Sequence, residues 1–313
     1  MLKSSKPIIV VSGDPQSIFL EIFFKSFKKS KRPLILLVNK KVLFNQLKIL
    51  KFRVDLNEIY KKDVCKKKLS NYKINFIDIP LVKNNTKKYI EESFALALDL
   101  LKKNKGLELI NGPINKKKFL KRKYLGITEY LGDKTKTLKN VVMLIYNKNL
   151  SVSPLTTHVP LKTVHLGLSQ SKIKNHVKKI DSFYRTIKGK RPRIAVTGLN
   201  PHCESNFNSS EEKKIIIPAI NFLKKYKYNI SGPYPADTIF LKKNYVKYDV
   251  IIGMYHDQVL APIKSIFNFE AINITLGLPF TRISPDHGPN VEMFGKNISN
   301  PGSLILALKF LNR

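Results

Sequence analysis

Short apolar runs alternate with amphipathic segments along most of the chain. The first run, Pro7 to Val11, is rich in β-branched residues and is closed by Gly13-Asp14-Pro15, which predicts a buried strand followed by a turn. Residues 17–27 then have the spacing of an amphipathic helix. Further strands are predicted at residues 33–38, 74–79, 107–110, 193–197, 248–254 and 271–278, and further helices at 43–50, 89–102, 172–187, 210–227 and 303–311. This alternation is typical of an α/β protein with a mainly parallel sheet.

One predicted hairpin interrupts the alternation. Residues 141–146 and 150–155 are apolar runs separated only by Asn147-Lys148-Asn149, so we expect them to pair as antiparallel strands. The sheet is therefore predicted to be mixed. Residues 232–238, which contain glycine and two prolines, are predicted to form a loop. His165 and His176 fall in helical segments, where we expect them at the surface.

The length and composition indicate a globular protein. The 313 residues are enough for about two domains of roughly 100–200 residues each, and 43% of them are hydrophobic. The formal net charge of +35 favours a nucleic-acid or membrane partner, but the lysines are spread along the whole chain and no arginine–aromatic interleaving occurs. We therefore interpret the charge as a general enrichment in surface lysine. It predicts weak non-specific nucleic-acid binding at low salt, with no specific nucleic-acid or membrane partner.

The cysteine count and the lengths of the apolar runs indicate a cytoplasmic location. Cys65 and Cys203 are too few for a disulfide framework or a multi-cysteine metal site. The short apolar run that follows Met1 to Lys6 is interpreted as a strand rather than a signal peptide. No run approaches the ~18 apolar residues that a membrane-spanning helix needs.

Three histidines share one local pattern. His158, His202 and His256 each follow an apolar, strand-like run by a few residues, so all three could reach the same rim of one sheet or of two facing sheets. Three imidazoles suit a divalent cation such as Zn²⁺, Co²⁺ or Ni²⁺ and leave positions open for a substrate. The wide separations match no compact zinc motif, so ordinary hydrogen-bonded loop histidines remain an alternative.

Other candidate residues lie around the third histidine. Between Tyr255-His256-Asp257-Gln258 and Asp286-His287-Gly288 stand three side chains that can grip an anion or an oxygen-rich substrate: Lys264, Asn273 and Arg282. In open α/β sheets ligands bind beyond the carboxyl ends of the strands, where such residues are expected. A solvated surface position is the alternative for Lys264.

Three further features have simpler interpretations. Asp237 could orient a catalytic group or cap a following helix, and its local pattern favours the cap. Cys203 has no evident base beside it and is interpreted as structural. The turn Asn111 to Lys116 could present Asn115 and Lys116. The chain has no G-x-G-x-x-G, so a dinucleotide would bind without the Rossmann fingerprint.

Taken in order, these motifs resemble the 4-hydroxythreonine-4-phosphate dehydrogenases of vitamin B6 biosynthesis over nearly the whole chain. The matching segments are residues 13–15, 112–116, 128–131, 156–161, 198–202, 235–238, 255–258, 275–280 and 284–288. The resemblance implies a two-domain α/β/α fold of the isocitrate and isopropylmalate dehydrogenase type, with a mixed sheet and an active-site cleft between the domains. We expect the first domain at residues 1–125 plus about 285–313 and the second at about 126–284.

The resemblance also implies a set of ligands. A divalent metal (Zn²⁺, Co²⁺ or Mg²⁺) would be held by His158, His202 and His256, one of them from the partner subunit of a homodimer. Substrate contacts are implied at Thr128, Lys264, Asn273 and Arg282. NAD or NADP would bind near His287, Gly288 and Asn300.

The reaction implied is oxidation followed by decarboxylation. The hydroxyl of 4-phosphohydroxy-L-threonine, made more acidic by the metal, would lose its proton to Asp237 or Lys264, directly or through water. Hydride would pass to the nicotinamide. The resulting β-keto acid would lose CO₂ to give 3-amino-2-oxopropyl phosphate. Arg282 and Lys264 would hold the phosphate or carboxylate charge.

The chain departs from the family pattern at one substrate position. The family has Gly-His-Thr-Glu where this chain has Gly126-Ile127-Thr128-Glu129, and isoleucine cannot donate the hydrogen bond of the histidine. The same chemistry on another substrate, such as a phosphorylated four-carbon sugar acid or a dihydrodiol carboxylate, is therefore an alternative. An inactive basic binding protein on this scaffold is a second alternative, although the retained histidines, Lys264, Asn273 and Arg282 argue against it.

Overall fold

The structure is a computed structural model that describes residues 6–66, 69–82, 85–115, 119–120, 124–203, 209–268, 270–285 and 287–312. The chain divides into two compact units. Unit 1 comprises Met1–Lys123, Phe269–Ile272 and Pro279–Arg313, and unit 2 comprises Tyr124–Asn268 and Asn273–Leu278. Residues 279–284, which we assigned to the second domain, cluster with unit 1. The reason is that Arg282 and Ile283 belong to a strand that pairs with Leu109 and Ile110 of unit 1.

The described strands, numbered in chain order, are short and mostly apolar. They are β1 Ile8–Val11, β2 Leu34–Val38, β3 Leu56–Glu58, β4 Ile74–Asp78, β5 Glu108–Asn111, β6 Val142–Tyr146, β7 Ser151–Thr156, β8 Ile194–Thr197, β9 Ile230–Tyr234, β10 Val250–Tyr255, β11 Ile272–Leu276 and β12 Arg282–Pro285.

The described α-helices are numbered in the same way. They are α1 Phe19–Ser26, α2 Lys40–Ile49, α3 Thr86–Lys103, α4 Ile127–Lys134, α5 Gln170–Lys188, α6 Ile217–Lys225, α7 Ala236–Ile239, α8 Lys242–Tyr245, α9 His256–Phe267 and α10 Gly302–Leu311. Several begin at a polar cap, because the first N–H groups of a helix have no partner inside it. Asn39, Asn85 and Ser169 each accept a backbone N–H at the start of α2, α3 and α5.

The sheet of unit 1 is built from parallel pairs. Its strand order is β3-β4-β2-β1-β5-β12, and each neighbouring pair is parallel. The central strands β1 and β2 are apolar on both faces, and their residues are almost fully buried. Such runs are expected where helices cover both faces of a parallel sheet.

The sheet of unit 2 is mixed, as predicted. Its order is β11-β6-β7-β10-β8-β9, and residues 273–276 of β11 belong to this unit. The predicted hairpin forms, since β6 and β7 pair antiparallel with Ile145 opposite Val152. The strands β7, β10, β8 and β9 pair in parallel.

The predicted loop at residues 232–238 is wrong for its first half. Residues 232–234 belong to β9, where Gly232 has φ +128° and a Cβ atom would approach the Val196 carbonyl oxygen to 2.4 Å. Pro233 lacks an N–H, which an edge strand tolerates. The Gly-Pro pair therefore marks an irregular edge strand rather than a loop.

The helix predicted at residues 210–227 is also divided. A π-helical turn, Glu212–Ile216, precedes α6, and Pro218 stands in the first turn of α6. Proline has no N–H to donate to the preceding turn, so the regular pattern of α-helical hydrogen bonds is broken there. The π-helical turn places the Glu212 side chain, which is 1% exposed, inside unit 2.

Candidate active site

The three histidines follow three adjacent parallel strands of unit 2. The strand β10 lies between β7 and β8, with Tyr255 paired to Thr156 and Ile252 paired to Val196. The carboxyl ends of the three strands are therefore side by side, which is where ligands bind in open α/β sheets. The three histidines lie just beyond these strand ends.

Two of the histidines come close together. The ring centroids of His158 and His256 lie 5.6 Å apart with an interplanar angle of 40°. The Nδ1 of His256 lies 2.6 Å from Asp257 Oδ1, and a carboxylate that accepts from one ring nitrogen leaves the other available to a metal. Paired imidazoles fit a divalent transition metal, although no group of three or more His, Cys, Asp or Glu side chains in the described part of the chain could hold an ion.

The third histidine stands on a turn with an uncommon backbone. His202 (φ 59°) and Cys203 (φ 57°) are consecutive left-handed residues, a conformation that costs about 1–2 kcal/mol for each L-residue. Gly198 is the first residue of this turn. A larger residue would not fit at this position, because its Cβ atom would meet Cys203 Sγ at 2.7 Å and Glu212 Oε1 at 3.1 Å. The turn 198–203 is thus closed around the Glu212 carboxylate.

Glu212 holds this turn through hydrogen bonds. Its Oε1 accepts the N–H groups of Leu199 and Asn200, both at 2.8 Å, and its Oε2 accepts Asn200 Nδ2 at 2.9 Å. Burial alone would raise the pKa of Glu212, but these donors outweigh it and hold the pKa below its usual value. Glu212 is therefore an anionic anchor of the turn that carries His202.

Cys203 has the surroundings of a structural thiol, as we interpreted it. Burial raises its pKa, and the nearby carboxylates of Glu212 and Asp237 raise it further. A thiol with a raised pKa is a poor nucleophile at neutral pH. The Asp237 carboxylate thus acts electrostatically on the turn that carries His202.

The predicted cap role of Asp237 is wrong. Asp237 stands in the first turn of α7, but the cap position before this helix is Pro235 and no side chain caps it. The carboxylate is exposed instead. Lys264 is also exposed and lies on α9, the helix that begins at His256. Both side chains remain accessible to a bound molecule.

One face of β11 carries the predicted substrate residue Asn273 and contacts another, Thr128. The hydroxyl oxygens of Thr128 and Thr275 lie 3.3 Å apart, and Asn273 stands two positions before Thr275, on the same face of the strand. The Oδ1 atom of Asn273 is buried and accepts no hydrogen bond from the described residues. A buried acceptor of this kind calls for an explanation, and a donor on a bound molecule would supply one.

Glu129 lies beside His158 and was not predicted as a site residue. A Cβ atom on Gly126 would meet Glu129 Oε2 at 3.0 Å and His158 Cε1 at 3.5 Å, so the glycine leaves room for both side chains. Glu129 Oε1 accepts from the Thr157 hydroxyl at 3.2 Å, and Oε2 is buried without a hydrogen-bond partner among the described residues. The signal in the sequence was its position directly after Thr128, in the segment 128–131 that resembles the family.

Unit 1 carries Arg282, the predicted anion-binding residue. Arg282 is 3% exposed, and its Nε donates to Asn111 Oδ1 at 2.7 Å. Asn111 is itself buried at the end of β5, and its Nδ2 donates to the Gly112 carbonyl. Asn111 was not predicted as a site residue, yet its side chain is held by the Gly112 carbonyl and in turn fixes the Arg282 guanidinium.

The predicted cofactor residues lie in two segments of unit 1. His287 stacks on Phe19 of α1, with ring centroids 6.3 Å apart, and Gly288 follows it in an exposed position. Asn300 Oδ1 accepts the Gly302 N–H at the start of α10, a capping role that also suits a purely structural residue. Of the neighbouring residues named in the sequence analysis, Lys116 and Asp286 lie outside the described residues.

The loop that ends at Asn300 is tied to α1. Lys25 Nζ donates to Glu21 Oε1 at 2.8 Å and to the carbonyl oxygens of Asn297 and Ser299, both at 3.0 Å. Glu21, which is 2% exposed, also accepts the Ser299 N–H at 2.6 Å. The loop therefore has a defined backbone in the structure.

Comparison with known proteins identifies the family. A model of the family described as pyridoxal phosphate biosynthetic protein PdxA matches residues 29–311. The chain belongs to the PdxA family. A relative from Sulfurihydrogenibium sp. (strain YO3AOP1), named 4-hydroxythreonine-4-phosphate dehydrogenase, is 35% identical over 96% of this chain and 96% of its own length. The resemblance seen in the motifs is thereby confirmed, as is the dehydrogenase class of enzyme.

Solved structures support the same assignment of fold. The PdxA chain resembles 4-hydroxythreonine-4-phosphate dehydrogenase from Klebsiella pneumoniae with a TM-score of 0.80 and 30% identity, over 98% of both chains. Isocitrate dehydrogenase from Methylococcus capsulatus matches with a TM-score of 0.51 at 9% identity, over 97% of this chain and 84% of that one, which shows the fold alone. The predicted fold class is confirmed. No helix in the described residues is long and apolar enough to cross a membrane.

Proposed function

We propose that this PdxA chain is a 4-hydroxythreonine-4-phosphate dehydrogenase that uses NAD or NADP. The reaction would oxidise 4-phosphohydroxy-L-threonine to a β-keto acid, which loses CO₂ to give 3-amino-2-oxopropyl phosphate. The relatives' names support the substrate. The observation that carries the site is the His158 and His256 pair, 5.6 Å apart at the carboxyl ends of β7 and β10.

We propose that a divalent cation such as Zn²⁺, Co²⁺ or Mg²⁺ is held by His158, His202 and His256. Such an ion lowers the pKa of a substrate hydroxyl and stabilises developing negative charge. One of the three would come from the partner subunit of a homodimer, so a single chain need not assemble all three. The Asp257 carboxylate orients His256 for this role.

The chain's own residues would bind the substrate and move its proton. Asn273 would accept a hydrogen bond at its buried Oδ1, on the face of β11 whose Thr275 hydroxyl lies 3.3 Å from that of Thr128. Arg282, held by Asn111, would bind phosphate or carboxylate charge. Asp237, whose exposed carboxylate acts electrostatically on Cys203 beside His202, would take the hydroxyl proton directly or through water, with Lys264 as the other candidate.

We place the cofactor at His287, Gly288 and Asn300 and the enzyme in the cytoplasm. The loop that ends at Asn300 is held by Lys25, and the His287 ring stacks on Phe19. Because both segments are ordered by these contacts, a nicotinamide cofactor could bind to them without rearrangement. Both cysteines are free thiols in the structure, which suits a reducing compartment.

One observation favours a second substrate. Ile127 is 8% exposed at the first position of α4, directly before Thr128, and offers no hydrogen bond where the family has histidine. An enzyme with the same chemistry could then act on a phosphorylated four-carbon sugar acid or a dihydrodiol carboxylate.

Nucleotide reduction measured at 340 nm tests the proposal. The wild-type chain is expected to reduce NAD or NADP with 4-phosphohydroxy-L-threonine when Zn²⁺, Co²⁺ or Mg²⁺ is added, and to lose this activity after chelation. Turnover with phospho-erythronate but not with 4-phosphohydroxy-L-threonine would replace the first substrate by the second. No turnover with either, together with nucleic-acid binding that persists at high salt, would favour the inactive binding protein.

A further inference from the structure

The carboxyl ends of β8 and β10 share one buried side chain. Gln258 is 8% exposed and stands in the first turn of α9, two residues after His256. Its Oε1 accepts the Met254 N–H at 2.6 Å and the Thr197 hydroxyl at 2.8 Å, while its Nε2 donates to the Gly198 carbonyl at 2.8 Å. One amide therefore bridges the last residues of two neighbouring strands.

The local sequence is built to admit this bridge. A Cβ atom on Gly253 would meet Val259 Cγ1 at 2.4 Å and Gln258 Oε1 at 3.1 Å. Any larger residue at position 253 would push the first turn of α9 away from β10. The glycine therefore allows the strand to turn directly into the helix with the Gln258 amide folded back underneath.

Glu212 completes the bridge on the far side of the turn 198–203. It accepts two backbone N–H groups of this turn, and Gln258 holds the carbonyl of its first residue, Gly198. Backbone strain of the kind seen at His202 persists only where surrounding contacts over-determine it. Among the described residues, Glu212 and Gln258 are two buried side chains whose hydrogen bonds hold this turn.

We propose that Gln258 and Glu212 are positioning residues that set where His202 stands at the carboxyl edge of the unit 2 sheet. This proposal rests on the proposed function, because it takes His202 as a ligand of a divalent metal in the site of its own subunit or of the partner subunit. Metal–ligand distances vary by only about 0.2 Å in well-formed sites, so a turn that relaxes by an ångström would lose affinity. The Gln258 hydrogen bonds also hold the carboxyl ends of β8 and β10 at a fixed distance from each other.

The opposing interpretation is that Gln258 and Glu212 only stabilise the fold. Gln46 is a matched control, since it is a glutamine that is 2% exposed, on α2 of unit 1. Gln46→Leu removes a buried amide of the same size away from the histidines. Gln258→Leu removes all three bridging hydrogen bonds, and Glu212→Gln keeps the side-chain size while replacing one acceptor oxygen by a donor.

Co²⁺ titration of the full chain, followed by visible absorption, provides the test. We expect Gln258→Leu and Glu212→Gln to weaken Co²⁺ binding by roughly 10–100-fold, as changes around metal ligands do, and to alter the absorption bands. Gln46→Leu is expected to bind Co²⁺ as the wild type does, whatever stability it loses. Backbone amide hydrogen exchange at Leu199 and Asn200 is expected to rise in the first two variants only.

The outcomes separate this proposal from the one on which it rests. Wild-type Co²⁺ affinity and absorption in folded Gln258→Leu and Glu212→Gln proteins would overturn the positioning role. Unchanged exchange at Leu199 and Asn200 would overturn it as well, without any use of the metal. If the wild type itself failed to bind Co²⁺, the metal assignment under the proposed function would be overturned instead. If Gln258→Leu does not fold, Glu212→Gln carries the same test.

Discussion

The imidazole rings of His158 and His256 lie 5.6 Å apart although almost a hundred residues separate them in the chain. Their proximity follows from the pairing of β7 with β10, which sets Thr156 opposite Tyr255. Each histidine comes just after its paired residue, so the register of two parallel strands fixes the distance between the rings. The sheet register therefore brings the two histidines together, although they lie in different segments of the chain.

Replacing His256 with alanine should abolish metal binding and turnover while the protein stays folded. The side chain is 34% exposed, so its loss should cost less than about 0.5 kcal/mol of stability. Calorimetric titration with Zn²⁺ or Co²⁺, turnover and circular dichroism measure the three effects. His165→Ala, which removes an exposed histidine elsewhere in unit 2, is the control and should change none of them. Full activity in His256→Ala would refute the metal assignment.

Restoring histidine at position 127 should lower the KM for 4-phosphohydroxy-L-threonine if that is the substrate. One recovered hydrogen bond contributes about 0.5–1.5 kcal/mol, or roughly a two- to tenfold change in KM. Ile127 is buried, so the variant is also expected to lose some stability. Ile127→Phe is the control, because it introduces a ring of bulk similar to that of histidine but without a hydrogen-bonding group. A KM that is unchanged or higher in Ile127→His would argue for another substrate.

The strand ends could be predicted from the sequence because their cause is local. A β-branched run closed by polar residues indicates a strand wherever it occurs, and His158, His202 and His256 were recognised in this way. The order β7-β10-β8 could not be predicted, since it depends on which strands the crossover connections bring together. The α9 helix was missed because Pro262 interrupts its pattern.

The contacts that hold the site could not be predicted from the sequence, because they too depend on the tertiary fold. Gln258 and Glu212 are polar residues, and only the tertiary fold shows that both are buried. His176 is different, because a signal was present: it shares a helical face with Ile173, Val177 and Ile180. Its expected surface position was wrong, since it is 5% exposed against unit 2's core.

Replacing Asn111 with alanine should raise the KM with little change in kcat. Arg282 would lose a buried acceptor, and a hydrogen bond to a charged group is worth about 1.5–3 kcal/mol, so an increase in KM of roughly tenfold or more is expected. An effect confined to KM indicates lost binding that the ground state and transition state share. Asn75→Ala, which removes another buried amide of unit 1, is the control and should retain a KM near that of the wild type. Equal KM values in all three proteins would show that Asn111 does not position Arg282 for substrate.

Folding stability should fall as the pH drops from about 6.5 to about 4, because of His176. Burial, reinforced by the charge of Lys172, lowers the pKa of His176 from 6.5 to about 4. The unfolded chain therefore binds this proton at a higher pH than the folded chain, and the loss reaches about 3 kcal/mol at the acid end of the window. In urea unfolding from pH 4.5 to 8, His176→Gln should show a flatter dependence than the wild type, while the exposed His165→Gln should not. Parallel curves for His176→Gln and the wild type would mean that the buried imidazole is not what limits stability in acid.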